Sequence, residues 1–326
     1  MATTGTGGIA SGRRERPARA RRALLIAGPT ASGKSTLALE LARRFDATII
    51  DADSMQVYRD LRVLTARPTP EDEKRAPHAL YGVVDGAVNY SVGLWLRDAS
   101  RIADEIFAAG RPVIFVGGTG LYFRALTDGL AETPVVPEAV RAAVRERSRS
   151  RPTAALHEAL KAIDPASAAR LQPNDRQRVL RALEIFEASG VSLAVFQNAA
   201  AAPFLERGEW AGLFLAPERA ELETAIHARF DAMLRAGALE EVRALAARRL
   251  APDLPVMRAL GVPQLLAHLA GEISGEEAAA RAKLETRRYA KRQFTWARHQ
   301  MKTFQWVKPA AAVETGARTF EGLGVG

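Results

Sequence analysis

The sequence predicts an α/β fold: a parallel sheet flanked by helices, with an all-helical segment inserted into the chain. Three observations carry this expectation. Short apolar runs alternate with helical patterns through residues 23–116. A glycine-rich, lysine-bearing loop stands between the first run and the first helix. From residue 128 to residue 208 no segment has the composition of a strand, and prolines break the helical spacings.

Taken in order, Ala23–Ala27 (ALLIA) is apolar throughout and stops at Gly28-Pro29, which is the pattern of a buried strand. Ser35–Phe45 puts Leu37, Leu41 and Phe45 on one helical face. Ala47–Asp51 (ATIID) reads as a second strand, Ser91–Ala109 as a helix, and Pro112–Val116 (PVIFV) as a third strand closed by Gly117-Gly118. Strands alternating with helices imply parallel βαβ units and a doubly wound sheet. Pro134, Pro137, Pro152, Pro165 and Pro173 punctuate the helical middle. Gly212–Ala216 (GLFLA) then returns to a strand, so the middle reads as an insertion between strands of one sheet. Helices follow to about Phe304, and Gln305–Val307 adds a last short strand. The expected organisation is an arm at 1–22, a first part of the core at 23–127, the insertion at 128–208, the return at 209–308 and a tail at 309–326.

Composition narrows the function classes. With 48% hydrophobic residues in 326, the chain can fill a sizeable core. No stretch of 18 apolar residues occurs, so no membrane span is expected, and residues 1–22 lack the apolar region of a secretory signal. The cytoplasm is the simplest compartment, and a monomer is expected. Without cysteine there is no disulfide, thiolate metal site or cysteine nucleophile. The net charge of +9 suggests nucleic acid, but RRERPARARR at 13–22 supplies +5 of it. That stretch reads as a disordered basic arm.

Gly28-Pro29-Thr30-Ala31-Ser32-Gly33-Lys34-Ser35 fits G-x-x-x-x-G-K-[ST] and lies between a strand and a helix, as the motif requires. Its glycines let backbone N–H groups converge on an anion, and the following helix adds its positive end. Lys34 brings a full charge to the terminal phosphates, and Ser35 can ligate Mg²⁺. The motif makes the expected architecture P-loop NTPase-like. It specifies a polyphosphate, but not which one, nor whether phosphate is transferred or leaves.

A phosphoryl transferase needs a second carboxylate at the end of a buried strand. The third strand ends in Gly117-Gly118-Thr119-Gly120, which has none. Asp51 and Asp53 in ATIIDADSMQVY are the candidates. Three classes are open at this point: a transferase with a diphosphate leaving group, a nucleoside or nucleotide kinase, and an RNA-binding module without catalysis.

GPTASGKS, DADSMQVY, TARP, APHALYGVVD, VGGTGLYFRAL, NDRQRVLRALE, RFDAML, LPVMRALG and TRRYAKRQFTWAR follow one another over residues 23–308. This ordered series resembles the tRNA dimethylallyltransferases (isopentenyltransferases). It departs from them at Arg67, where lysine is usual, at Gly93–Trp95 and at Val262-Pro263. The resemblance implies that the P-loop holds dimethylallyl diphosphate, with Mg²⁺, and that adenine 37 in the anticodon arm of tRNA is prenylated. It makes Asp53 the acceptor of the N6 proton, and sets Thr30 and Arg229 at the diphosphate. Asp53, Ser54, Met55, Gln56 and Thr119 would line the pocket for the flipped base. Gln177, Arg178, Val179, Leu180, Arg181, Arg141 and Arg258 would meet tRNA, and His78 matches a family histidine. On spacing alone, Gln177 and Arg181 share one helix face, and Arg141 opens a run with Arg145, Arg147, Arg149 and Arg151. Residues 281–302 hold eight Lys/Arg interleaved with Tyr289, Phe294 and Trp296, for which a core role is expected.

Overall fold

Apolar runs with no polar alternation can only be strands if both faces are covered. Every residue of Ala23–Ala27 and Val113–Gly117 is buried, which meets that condition. The computed structural model describes residues 21–198 and 202–325. The chain divides into two compact units, residues 1–120 with 207–326, and residues 121–206.

The first unit runs β1 (Ala23–Ala27), α1 (Lys34–Phe45), β2 (Thr48–Asp51), α2 (Pro70–Arg75), β3 (His78–Ala79), α3 (Val92–Ala108) and β4 (Val113–Gly117). Helix α4 (Gly120–Asp128) leads into the second unit. There follow α5 (Glu138–Ser148), α6 (Thr153–Ile163), α7 (Pro165–Ala168), α8 (Arg176–Ser189) and α9 (Leu193–Asn198). The chain returns with β5 (Trp210–Leu215), α10 (Arg219–Arg235), α11 (Ala238–Ala247), α12 (Val262–Leu269), α13 (Gly275–Gln300), β6 (Gln305–Val307) and α14 (Ala312–Gly322).

The six strands form one sheet in the order β3-β2-β4-β1-β5-β6, and every pairing is parallel. All carboxyl ends therefore lie along one edge, with those of β2, β4 and β1 side by side. In an open α/β sheet that edge is where ligands bind. One face of the sheet packs Leu24, Ile26, Ile114 and Leu213 against Leu37 and Leu41 of α1 and Phe320 of α14. On α3, Trp95, Ala99, Ala103, Ile106 and Phe107 recur at helical spacing and are buried, and Ser91 caps the first turn by accepting from the Leu94 N–H.

Three readings need correction. Residues 309–326 are not a tail: α14 buries Ala312, Ala317 and Phe320, and Gly316 leaves room for Leu41 of α1. Strand β3 escaped notice because two half-buried residues cannot show a period of two. The arm expected at 1–22 falls on residues 1–20 outside the described residues, but Arg21 pairs with Asp104 at 2.6 Å and the Arg22 carbonyl accepts from the Val113 N–H.

The second unit has its own core of Val144, Leu156, Leu160, Val179, Ala182 and Ile185. Its described residues contain no strand, as the proline-broken helical pattern implies. It begins at residue 121, ahead of the expected 128, because α4 spans that point. Helix α8 starts at Asp175, whose carboxylate accepts from the Arg178 N–H, and stops at Gly190 with φ of 68°. Among the described residues no helix is long and apolar enough to cross a membrane.

Candidate active site

Between β1 and α1 the backbone turns left-handed twice, at Ala31 (φ 63°) and Gly33 (φ 87°). A glycine suits such a φ; at Ala31 it costs on the order of 1 kcal/mol, which a built anion seat can justify. Gly33 caps α1 with no side-chain hydrogen bond, so the N–H groups of the first turn are left for an anion. Lys34 Nζ donates to the Pro29 carbonyl at 3.1 Å, across the loop. Ser35, the second residue of α1, is exposed at the same end. Ser32 is buried, and its hydroxyl has no partner among the described residues.

The end of β2 brings the carboxylates. Asp51 is fully buried, and its Oδ1 accepts from the Asp53 N–H at 2.9 Å. Asp53 Oδ1 in turn accepts from the Met55 N–H at 3.0 Å. No helix follows, so Asp53 makes a local turn rather than a helix cap. Its Oδ2 lies toward Gly118, whose Cβ, if present, would sit 3.3 Å away.

Two glycines make this approach possible. A Cβ on Gly117 would come within 2.0 Å of the Ala52 carbonyl oxygen, and one on Gly118 within 2.2 Å of Gln293 Nε2. The absent side chains let the end of β2 close over the end of β4. Thr119 then accepts from the Ser54 N–H at 2.9 Å and its hydroxyl reaches Ser54 Oγ at 3.2 Å.

Arg229 comes from the middle of α10, and its Nη2 donates to Thr30 Oγ1. Burial lowers the Lys34 ammonium to about 8, against the supporting charge of Asp53. Burial lowers Arg229 as well, again opposed by Asp53. Burial and then Asp53 push the Asp51 carboxyl well above the usual carboxylate range, while the Asp53 N–H pulls it back. Two half-buried cations at a loop of N–H groups can hold a polyanion and stabilise charge that develops on it. Asp53 beside them can accept a proton.

Helix α13 supplies a residue that the sequence reading missed. Its buried stripe is Ala278, Ala282, Thr286, Ala290, Gln293 and Ala297, mostly small. At Gln293 the stripe turns polar: Oε1 accepts from the Thr30 N–H and Nε2 donates to the Gly118 carbonyl, both at 2.9 Å. One side chain thus ties the P-loop to the end of β4. An amide at a core-facing position of a small-residue stripe was the available signal. Tyr289, one turn earlier, feels Thr119 and Asp53, and burial raises its phenol. Phe294 packs edge-on to Phe214 with centroids 5.6 Å apart, in keeping with the expected core role.

The remaining candidates divide. The Gln56 amide donates to the carbonyls of Thr65 at 2.8 Å and Ala66 at 3.0 Å, so it holds the TARP loop. Ser54 and Met55 are half-buried beside Asp53. His78 spends Nδ1 on the Ala76 carbonyl at 2.8 Å and sets its ring against Tyr81. Arg258 is exposed at the end of the short turn Pro255–Arg258. In the second unit, Gln177 and Arg178 are exposed on α8, and Arg178 pairs with Asp175 at 3.4 Å. Arg181 donates to Thr133 at 3.0 Å, and Arg141 pairs with Glu138 at 2.8 Å. Val179 is a correction: it is fully buried in the core of that unit, so its side chain meets no RNA. Leu180 also packs on that core.

For a metal, no group of three or more His, Cys, Asp or Glu side chains among the described residues forms a cage. The Ser35 hydroxyl at the start of α1 is the protein group beside the loop that would hold Mg²⁺, which keeps several waters and needs few protein ligands.

The sequence matches the family model described as IPP transferase over residues 56–300, and that described as isopentenyl transferase over residues 21–80. It is 60% identical to the tRNA dimethylallyltransferase of Beijerinckia indica over 290 residues, 89% of this chain and 96% of that protein. It is 59% identical to that of Methylobacterium nodulans over 300 residues, 92% and 98% of the two chains. The solved tRNA isopentenylpyrophosphate transferase of Bacillus halodurans superposes with a TM-score of 0.67 at 32% identity, covering 93% of this chain and 97% of that one. A eukaryotic dimethylallyltransferase described as acting on tRNA superposes with a TM-score of 0.73 at 26% identity, covering 91% and 75%. By family model, by identity and by fold, the chain belongs to the IPP transferase family.

Proposed function

We propose that this protein transfers the dimethylallyl group of dimethylallyl diphosphate to N6 of adenine 37, beside the anticodon of tRNA. The observation that carries the reading is the meeting of Lys34, Arg229 and Thr30 with Asp53 at one edge of the sheet. A kinase of this architecture would want a carboxylate at the end of β4, where Gly117 and Gly118 stand.

The adenine N6 attacks the allylic C1 of the donor. The C1–O bond breaks, and the diphosphate leaves with the electron pair. Lys34, Arg229 and the N–H groups at the start of α1 offset the charge that collects on the leaving oxygen. Mg²⁺ on the diphosphate and Ser35 would neutralise more of it. The amine of adenine is a weak nucleophile because its lone pair is delocalised into the ring. Asp53 accepts the N6 proton at Oδ2, since Oδ1 is committed to the Met55 N–H. Thr119, held against Ser54, borders the place where the base must sit. Gln177, Arg178, Arg181, Arg141 and Arg258 serve as contacts to the tRNA backbone.

Mass spectrometry of nucleosides from tRNA treated with protein, dimethylallyl diphosphate and Mg²⁺ tests the reading. Dimethylallyladenosine is the expected product. Phosphate transfer from labelled ATP to a nucleoside, with no prenylated product, would replace it with a kinase.

A further inference from the structure

Three consecutive backbone N–H groups converge on one side chain from elsewhere in the chain. Glu241 stands on the first turn of α11. Its Oε1 accepts from the N–H groups of Arg62 and Val63, the latter at 2.9 Å, and its Oε2 accepts from that of Leu64 at 2.9 Å. Successive N–H groups aimed at one point make a seat for an anion, and here the protein supplies the anion itself. Residues 62–64 belong to no helix or strand, so without Glu241 these donors lose their partner.

The turn held in this way is also closed from within. The Ala66 N–H donates to the Val63 carbonyl and the Arg67 N–H to the Arg62 carbonyl, both at 3.0 Å, and the Thr65 hydroxyl donates to the Leu61 carbonyl at 2.7 Å. Two carbonyls remain on its far side, those of Thr65 and Ala66, and the Gln56 amide donates to both. That commits both hydrogens of the amide and fixes how the side chain lies. Gln56 follows Met55, whose N–H is held by Asp53. The buried Leu64 side chain closes on Gly261, three residues past Arg258, with Phe230 of α10 beside it. Arg229 leaves α10 on another bearing, because adjacent helical residues do not share a face.

We propose that Glu241 is a positioning residue for the acceptor side of the reaction: by seating the N–H groups of residues 62–64 it fixes the turn that aims Gln56, and so one wall of the adenine pocket, while the donor's seat is left alone. This rests on the reading that Asp53–Gln56 line the pocket for the base. An amide at 241 has one acceptor oxygen and sets its own NH₂ against one or more of the three donors. The turn must shift to relieve that clash, and Gln56 shifts with it. The substitution also removes a negative charge, which by itself strengthens the binding of any RNA. Positioning therefore predicts a change opposite in sign to that of charge.

The test uses the full chain with tRNA, dimethylallyl diphosphate and Mg²⁺. Rates are counted per donor-binding site, titrated with labelled dimethylallyl diphosphate, so that unfolded protein drops out. Glu241→Gln should lower kcat/KM for tRNA by about tenfold, within the range for a small misplacement of a reacting group, while the affinity for donor holds. Glu240→Gln removes the same charge one residue earlier, from an exposed side chain 3.7 Å from Arg243, and should leave kcat/KM for tRNA unchanged or raised. An unchanged or higher kcat/KM for tRNA in Glu241→Gln overturns the proposal, and so does a donor affinity that falls in step with it. Glu241→Asp keeps the charge on a shorter stem and should lose less than Glu241→Gln. It also carries the test if Glu241→Gln does not fold, because a parental kcat/KM from a carboxylate that no longer reaches all three donors overturns the proposal too. A parent protein that binds donor but prenylates no tRNA removes the reading of the pocket, and the role of Glu241 with it.

Discussion

Asp53→Asn isolates the proton-accepting step because the structure shows what the substitution keeps. The Asp53 N–H to Asp51 Oδ1 bond at 2.9 Å is a backbone donation and is unaffected. The Met55 N–H bond at 3.0 Å is retained, because an asparagine Oδ1 accepts as well in a local turn. Only Oδ2 changes, from an acceptor that can take a proton to an amide that cannot. Turnover should therefore fall by about 10²–10⁴-fold, the usual contribution of a general base, which is about 3–5 kcal/mol of barrier. Stability should change by no more than about 1 kcal/mol, since the lost attraction to Lys34 and Arg229 is offset by relief of Asp51.

One side effect has to be controlled. Asp53 supports the charge on Lys34, so its removal lets Lys34 lose its proton more easily. Single-turnover rates should be taken well below the pH at which Lys34 titrates, with bound tRNA and saturating donor. An unchanged rate under those conditions refutes the assignment of Asp53. Asp53→Ala adds a control: it loses the turn as well, so it should weaken tRNA binding where Asp53→Asn does not.

Other consequences follow from the same contacts. Lys34→Ala should lower turnover at saturating donor by about 10²-fold or more, and near-parental turnover would remove Lys34 from the chemical step. Gly117→Ala drives a Cβ to 2.0 Å from the Ala52 carbonyl, and should cost about 1–3 kcal/mol in denaturant unfolding while displacing Asp53. Gln293→Leu strands the half-buried Thr30 N–H and Gly118 carbonyl, for about 0.5–1.5 kcal/mol each, and donor affinity should fall with stability. The Lys34 shift to about 8 from 10.5 gives a pH signature with two opposite signs. Between those values the unfolded lysine holds a proton that the folded one has released, so donor-free protein gains stability as pH rises. Donor kcat/KM falls over the same rise, because the charge that meets diphosphate is lost, and a kcat/KM flat across pH 8 would contradict this.

The parts of the fold that sequence made legible were those with unambiguous physics. ALLIA, ATIID and PVIFV are apolar without alternation, and a strand covered on both faces is their only short solution. Each became a strand within a residue or two of its expected limits. His78–Ala79 was invisible because its two residues are fixed by pairing with Ile49 and Ile50 rather than by any pattern of their own. Helix α14 was missed for a related reason: its apolar residues acquire meaning only beside Leu41 and the sheet, which sequence distance hides.

The site divides along the same line. Gly33, Lys34 and Ser35 were legible because a phosphate loop is local: eight consecutive residues contain all of its backbone geometry. Gln293 was not, although it grips that very loop, because its partners are 263 and 175 residues away. Spacing on α8 alone paired Gln177 with Arg181. The family resemblance placed Val179 among the RNA contacts, since a motif carried over as a block takes its core-facing residue along with its surface ones. Residues that touch substrate sit in motifs, whereas those that hold them in place come from wherever the fold brings a matching donor or acceptor. A motif therefore names the chemistry, and only the fold names the side chains that aim it.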